Sequence, residues 1–485
     1  DPMFASSNHA VLLAHSYFLN HDPKQVVKMK PYPPLATLIT ASVLRERGHQ
    51  VRLFDAMLAD GVEEFTRLVA DQRPAAVGIF EDNFNFLTKM CTVRMREAAL
   101  TMVRAARAVG ARVVLNGSDV SDRPALYLAA GADAIVVGEV EETAAELFDA
   151  WRENRDAPLD GIHGLILPAP GGPPEGRRTP PRVRTRELDA LPFPAVDLVD
   201  VERYRAAWTR AHGRLSWNMV TSRGCPYRCN WCAKPIFGKL YTQRSPATVA
   251  SELQHLRETV APDHIWFADD IFGLTAAWIE SFAREVTARR ARTPFMMQSR
   301  ADLMTPATVA ALREAGAEEV WLGVESGSQR VLNAMDKGTR VEQVRSATRT
   351  LKEHGIRSGW FIQLGYLGEG WDDILLTRDL IRDERPDDIG VSVSYPLPGT
   401  GFYEIVKRQL GVKRNWTDSG DLSMMFAGTF DTGFYRQVRD LLHAEADGYR
   451  DGITPQSSFD LRWDELDAIQ AHHRRTVGEE AVGAA

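Results

Sequence analysis

"TSRGCPYRCNWCAKP", residues 221–235, places Cys225, Cys229 and Cys232 within eight positions of a chain that has 485 residues and only four cysteines. Three is an odd number for disulfides and one short of the four ligands of a structural zinc. The fourth, Cys91, lies in the first third of the chain within a helical pattern and reads as a structural thiol. Closely spaced thiolates in a loop suit an iron–sulfur cluster. Three of them on a four-iron cubane leave one iron open to a ligand. Zinc completed by a distant histidine, and three thiols that merely pack, stay open on spacing alone.

Working outward, the cysteines follow an apolar run, "WNMVT" (217–221). Five further runs come after them: "HIWFA" (264–268), "FMMQS" (295–299), "EVWLG" (319–323), "SGWFIQL" (358–364) and "GVSVSY" (390–395). Each is followed by a helical stretch. Six β/α units predict an incomplete parallel barrel rather than the closed eight-unit one. Chemistry in such barrels sits at the C-terminal ends of the strands, so the cysteines lie at that mouth. Upstream, "AVLLAHS", "QVRLFD", "AAVGIF", "ARVVLN" and "ADAIVVG" alternate with amphipathic segments over 8–152 and predict an α/β domain with a second parallel sheet. Residues 153–210 read as a linker, and "LPAPGGPPEGRRTPP" (167–181) within them, too rich in Pro and Gly for a helix or central strand, as a linker or a long exposed hairpin loop. The barrel occupies 211–410, and 411–485 reads as a C-terminal helical region.

Lys plus Arg number 58 and Asp plus Glu 65, a net charge of −7. That balance argues against nucleic acid as the main partner. No stretch has the length and apolarity of a membrane span. The first residues lack the basic region of a signal peptide, so a cytoplasmic location is expected.

The C-x3-C-x2-C spacing after the first strand of a partial barrel, with Trp231 before the last cysteine, resembles the radical S-adenosylmethionine (SAM) superfamily. The resemblance implies a 4Fe–4S cluster on Cys225, Cys229 and Cys232. Its open iron would bind SAM, and one electron would cleave SAM to methionine and a 5′-deoxyadenosyl radical. Further segments match: "FADDIFG" (267–273) with Asp269 and Asp270, "QSRADLM" (298–304) with Arg300, "WLGVESGSQRVLNAMDKG" (321–338) with Glu325 and Ser326, and "YPLPGTGFY" (395–403). Trp231 and these polar residues are the expected SAM contacts. Ser326 and Ser328 also suit a helix cap.

The first domain resembles the cobalamin-binding domain that precedes many radical SAM domains. Pro33 and Pro34 match its "PP" loop, and Asn116, Gly117 and Ser118 partly match its "GG" turn. Gly138, Glu139, Glu141 and Thr143 match its "GE-x-E-T" segment. The resemblance implies an N-terminal Rossmann-like cobalamin-binding domain ahead of a partial (β/α)6 radical SAM barrel. D-x-H-x-x-G is absent, which implies cobalamin without a protein histidine ligand; "EDNFNFL" (81–87) would lie against its lower face. The implied activity is methylation of an unactivated carbon on a small molecule, with an electron donor such as flavodoxin or ferredoxin. A radical cyclase, oxidase or rearrangement enzyme with no methyl transfer is the alternative. A non-catalytic cobalamin sensor and a zinc protein are more distant ones.

Overall fold

Short apolar runs alternating with amphipathic stretches build two parallel sheets. The computed structural model describes residues 10–232, 237–452 and 456–483, with side chains up to 471. The first sheet runs in the order β2-β1-β3-β4-β5-β6-β7. Its strands are β1 (Val11–Ala14), β2 (Val51–Phe54), β3 (Ala76–Phe80), β4 (Arg112–Asn116), β5 (Ala134–Val136), β6 (Leu165–Leu167) and β7 (Arg177–Arg178). β1 to β5 pair in parallel. Alternate residues feed two cores: Leu12, Val77, Val113 and Ile135 join one, while Val11, Leu13, Val114 and Val136 join the other. The 2-1-3-4-5 order is flavodoxin-like, with a switch point between β1 and β3 that opens a ligand crevice beyond the strand ends. Residues 15–34 and 81–87 leave the sheet there.

The Pro- and Gly-rich stretch at 167–181 is the loop and return strand of a hairpin, one of its two expected forms. β6 and β7 extend the first sheet in antiparallel pairing, and a helix at Val201–His212 is capped by the Asp200 carboxylate. Pro and Gly occupy the loop between the two short strands.

The second sheet has six parallel strands in the order β15-β14-β13-β12-β11-β8. They are β8 (Ser216–Met219), β11 (His264–Phe267), β12 (Phe295–Ser299), β13 (Ala317–Glu325), β14 (Arg357–Leu364) and β15 (Asp388–Val393). A two-stranded ribbon, β9 (Ser222–Arg223) and β10 (Thr242–Gln243), sits between β8 and β11 in sequence. Edges β8 and β15 do not pair with each other, so the barrel is open, as expected.

The first domain closes the β8 edge. Tyr17, Leu19, Tyr32 and Leu35 are buried in the same core as the barrel strands. Tyr32 bonds the Ser216 hydroxyl at 2.9 Å, and its ring lies 4.7 Å from that of Trp266. Asn218 of β8 donates to the Pro33 carbonyl at 2.9 Å.

The C-terminal region begins with irregular chain before helices at Thr432–Asp451 and Gln456–Gly483. Residues 415–419 form a strap between the domains. The Trp416 and Thr417 carbonyls accept from Val93 and Arg94, Asn415 bonds Arg96 and Tyr395, and Ser419 bonds Asp22.

If Tyr32 closes the barrel edge, Tyr32→Ala lowers stability by about 3–5 kcal/mol. Tyr32→Phe, which keeps the ring and loses one hydrogen bond, costs about 1 kcal/mol. Urea midpoints followed by tryptophan fluorescence check both.

Candidate functional site

Local geometry fixes the cysteine loop at both ends. Strand β9 immediately before it pairs with β10 after it, so the loop is the tip of a ribbon. Gly224 turns the chain into Cys225 at φ +78, where a Cβ would lie 2.1 Å from the Leu240 carbonyl oxygen; only glycine fits. Within the loop Asn230 is the anchor. Its N–H donates to the Met335 carbonyl (3.0 Å), its amide donates to Ala334 and Asp336, and its two oxygens accept from Phe402 N and the Tyr366 hydroxyl. The sequence reading missed Asn230, although its place between two cysteines was a signal. Cys225 is buried, while Cys229 and Cys232 line an open cavity of about 830 Å³.

Among the described residues no three His, Cys, Asp or Glu side chains converge on a point where one metal ion could sit. Three thiols from one loop beside this cavity are a donor set that fits an iron–sulfur cluster.

Around the loop the expected SAM residues divide into two groups. Glu325 stands at φ +66 just after a register shift between β13 and β14, which turns its side chain out of the strand's alternation. Lys337 holds its carboxylate at 2.9 Å, and both are buried. Arg300 Nη1 lies 3.8 Å from the Cys229 sulfur, with its guanidinium 3.7 Å from the Tyr227 ring centre and paired to Asp302. Trp231 has its indole Nε1 buried without a partner, and Lys337 is 6.0 Å from its ring. Asp270 is exposed. These four expected residues, with Lys337, surround the cysteines or stay open to solvent.

Asp269 and Ser326 have partners within the protein. Asp269 is fully buried and accepts from Thr221 N, Thr221 Oγ1 and Ser222 Oγ, so it fixes the chain entering the loop; burial raises its carboxyl to about 6. Ser326 is enclosed, pairs with Thr377 at 3.3 Å and accepts from Ser328 N. Ser328 caps the helix Gln329–Ala334.

The crevice of the first sheet carries the second set. Pro33 and Pro34 are buried, and Pro34 precedes the helix Leu35–Glu46, whose first N–H groups are met by Asp82. Asn116 ties β4 to the end of β5 through the Val136 and Gly138 carbonyls and accepts from Asn83. Gly117 is required by a neighbour, since a Cβ would lie 2.0 Å from Glu81 Oε2. Ser118 N donates to that same oxygen at 2.7 Å. Gly138, at φ +85, has open space where a Cβ would be.

Glu81 Oε1 and Asn83 Oδ1 are buried without partners in this crevice. Desolvation, aided by the Asp119 charge, raises the Glu81 carboxyl to about 8. Neither residue was singled out from sequence. Orphaned polar atoms beside small residues suit a ligand rich in amides.

Glu139, Glu141 and Thr143 have partners within the protein, and Glu139 also keeps one buried oxygen, Oε1, without a hydrogen bond. Glu139 accepts from Thr185 N, and Thr143 donates to the His163 carbonyl. Glu141 binds both terminal nitrogens of Arg223, which also lies 3.4 Å from Glu139. That buried cation comes from β9, so the segment joins the first domain to the base of the cysteine loop.

Comparison with known proteins agrees with this arrangement. Residues 219–381 match the Radical SAM superfamily, and residues 29–148 match the B12 binding domain. An uncharacterized methyltransferase of Pyrococcus horikoshii is 28% identical over 392 residues, 79% of this chain and 81% of the relative. The anaerobic magnesium-protoporphyrin IX monomethyl ester cyclase of Synechocystis is 26% identical over 297 residues, 59% of this chain and 56% of that enzyme. The same fold occurs in the radical S-adenosylmethionine methyltransferase TsrM from Kitasatospora setae, solved with cobalamin and a 4Fe–4S cluster bound. Identity there is 22% and the TM-score 0.68, covering 84% of this chain and 79% of that one.

Two measurements test the site. After anaerobic reconstitution, Gly224→Ala and Asn230→Ala lower iron and sulfide per chain several-fold, whereas Cys91→Ala leaves both unchanged. Cys91 is enclosed, and burial pushes its thiol well up. Glu81 gives a pH test. Its folded carboxyl keeps its proton up to about pH 8, while the unfolded one releases it near 4.5. Stability without cobalamin therefore falls as pH rises through that window. Glu81→Gln removes the fall and gains on the order of 2–4 kcal/mol at pH 8, and little at pH 4.5, in urea titrations.

Proposed function

The chain is a cobalamin-dependent radical SAM enzyme, and on that premise we propose that it methylates an unactivated carbon of a small molecule. The observation that carries this reading is the buried contact between the first domain and the base of the cysteine loop. The cysteine loop rises from β9, and Arg223 of β9 is held by the first domain's 139–143 segment. On this reading both cofactors face one space. When bound, the cluster and cobalamin supply reductive cleavage of SAM and a transferable methyl group.

Every other role belongs to the chain. Cys225, Cys229 and Cys232 are assigned to the cluster. Glu325, held by Lys337, suits the SAM ammonium, and Arg300 suits its carboxylate. Trp231 and Asp270 complete that side. Pro33, Pro34, Asn116, Gly117, Ser118 and Gly138 are assigned to the corrin and its tail through backbone and small side chains. Glu81 and Asn83 offer hydrogen bonds at the same crevice. Asp269, Ser326, Glu139, Glu141 and Thr143 act indirectly, by fixing the segments that carry the others. Exposed Arg228 and Lys239 on the cavity rim suit an acidic one-electron donor such as flavodoxin or ferredoxin. Trp416 and the strap border the barrel mouth beside Tyr395 and would select substrate.

Methyl transfer is favoured over cyclisation because the methyltransferase relative aligns along most of both chains, whereas the cyclase aligns over little more than half. Among the described residues no helix is long and apolar enough to cross a membrane.

Reconstituted protein is incubated with a low-molecular-mass cell extract, reductant, hydroxocobalamin and SAM carrying a trideuterated methyl group. The expected result is 5′-deoxyadenosine, S-adenosylhomocysteine and a metabolite that has gained the label. An oxidised or rearranged product without label supports the cyclase-type alternative. Cobalamin binding without SAM cleavage defeats the enzyme reading.

A further inference from the structure

We propose that Arg223 is a positioning residue that couples occupancy of the cluster loop to cobalamin binding, so that loading one cofactor tightens the other. Arg223 lies two residues before Cys225, and its side chain is 3% exposed. Four side chains from three segments converge on it. Glu141 takes both terminal nitrogens, and Glu139 sits at 3.4 Å. Phe84 and Phe237 stack on each other at 5.1 Å with an interplanar angle of 16°. The guanidinium carbon is 5.7 Å from the first ring and 5.4 Å from the second.

These partners come from both sides of the interface. Glu139 and Glu141 follow β5 of the first sheet. Phe84 lies in the 81–87 loop of its crevice. Phe237 lies in the segment that returns from the cysteines to β10. Paired bonds from a planar guanidinium are directional, and an Arg packed against a stacked pair of rings has little freedom to slide. Ordering the cysteine loop around a cluster therefore fixes Arg223, and a fixed Arg223 orders the 81–87 and 139–143 segments. Coupling of this kind is reciprocal between two ligands.

The proposal rests on the two cofactors and does not depend on which group is transferred. Its test is a thermodynamic cycle. Hydroxocobalamin is titrated by absorbance into iron-free and cluster-reconstituted protein, for the natural chain and for Arg223→Met, Arg223→Lys and Glu141→Gln. In the natural chain cluster loading tightens hydroxocobalamin binding by about 5-fold or more. In Arg223→Met the ratio of the two affinities falls to about one, and Arg223→Lys retains part of it. Should Arg223→Met fail to fold, Glu141→Gln removes one charge, keeps the side-chain shape and also lowers the ratio. A residue that only stabilises the fold weakens both affinities in parallel and leaves the ratio intact. That result, or a ratio of one in the natural chain, overturns the proposal. If hydroxocobalamin binds neither form, the cobalamin reading itself fails and takes the proposal with it.

Discussion

A guanidinium and two carboxylates have been taken out of water at the boundary between the two sheets. Removing ions from water costs several kcal/mol each, and the loss is offset only when geometry and hydrogen bonding are both good. Arg223, Glu139 and Glu141 meet that condition with a paired contact and a second acid close by. Two aromatic rings exclude solvent around them. Such a contact tolerates little sliding, because a displaced ion would be buried without a partner. The position of the cysteine loop over the first sheet follows from it. Tyr32 against Ser216, and Asn218 against the Pro33 carbonyl, hold the same two bodies at the barrel edge.

Much of this was legible because the signals are local. Cysteine spacing needs no tertiary context, and strand runs such as 295–299 and 264–267 fall within a residue of the apolar stretches that announced them. What sequence could not supply was pairing. Glu139 and Glu141 looked like ligand residues because cofactor sites and buried ion pairs draw on the same side chains. Their partner lies some eighty residues away. Asp269 poses a similar ambiguity: a carboxylate at a strand end can meet a ligand or gather backbone and hydroxyl donors, and its donors Thr221 and Ser222 lie nearly fifty residues away. β6 and β7, three and two residues long, have no periodicity to read. Lys337 stands twelve residues after Glu325 across a helix and a turn, a separation with no regular period.

The charge pattern around Cys229 has its own logic. Arg300 and Lys337 are buried cations beside the cysteine loop, and each is tied to a carboxylate of its own, Asp302 and Glu325. Burial makes that pairing necessary, because an unpaired ion away from water is costly. Arg300 also packs against Tyr227, which lies between Cys225 and Cys229, so the cation is placed by the loop it serves.

The strap at 415–419 carries a consequence for the order of assembly. A ribosome delivers the chain from its N-terminus, and domains fold largely as they emerge. Every strand of both sheets, and all three cluster cysteines, precede the strap. Helix Thr92–Ala108, Tyr395 and Asp22, which it joins, are already made when residue 415 appears. The junction between the two sheets thus exists for a time without its last tie. Completing the chain adds the contact that locks two bodies already made.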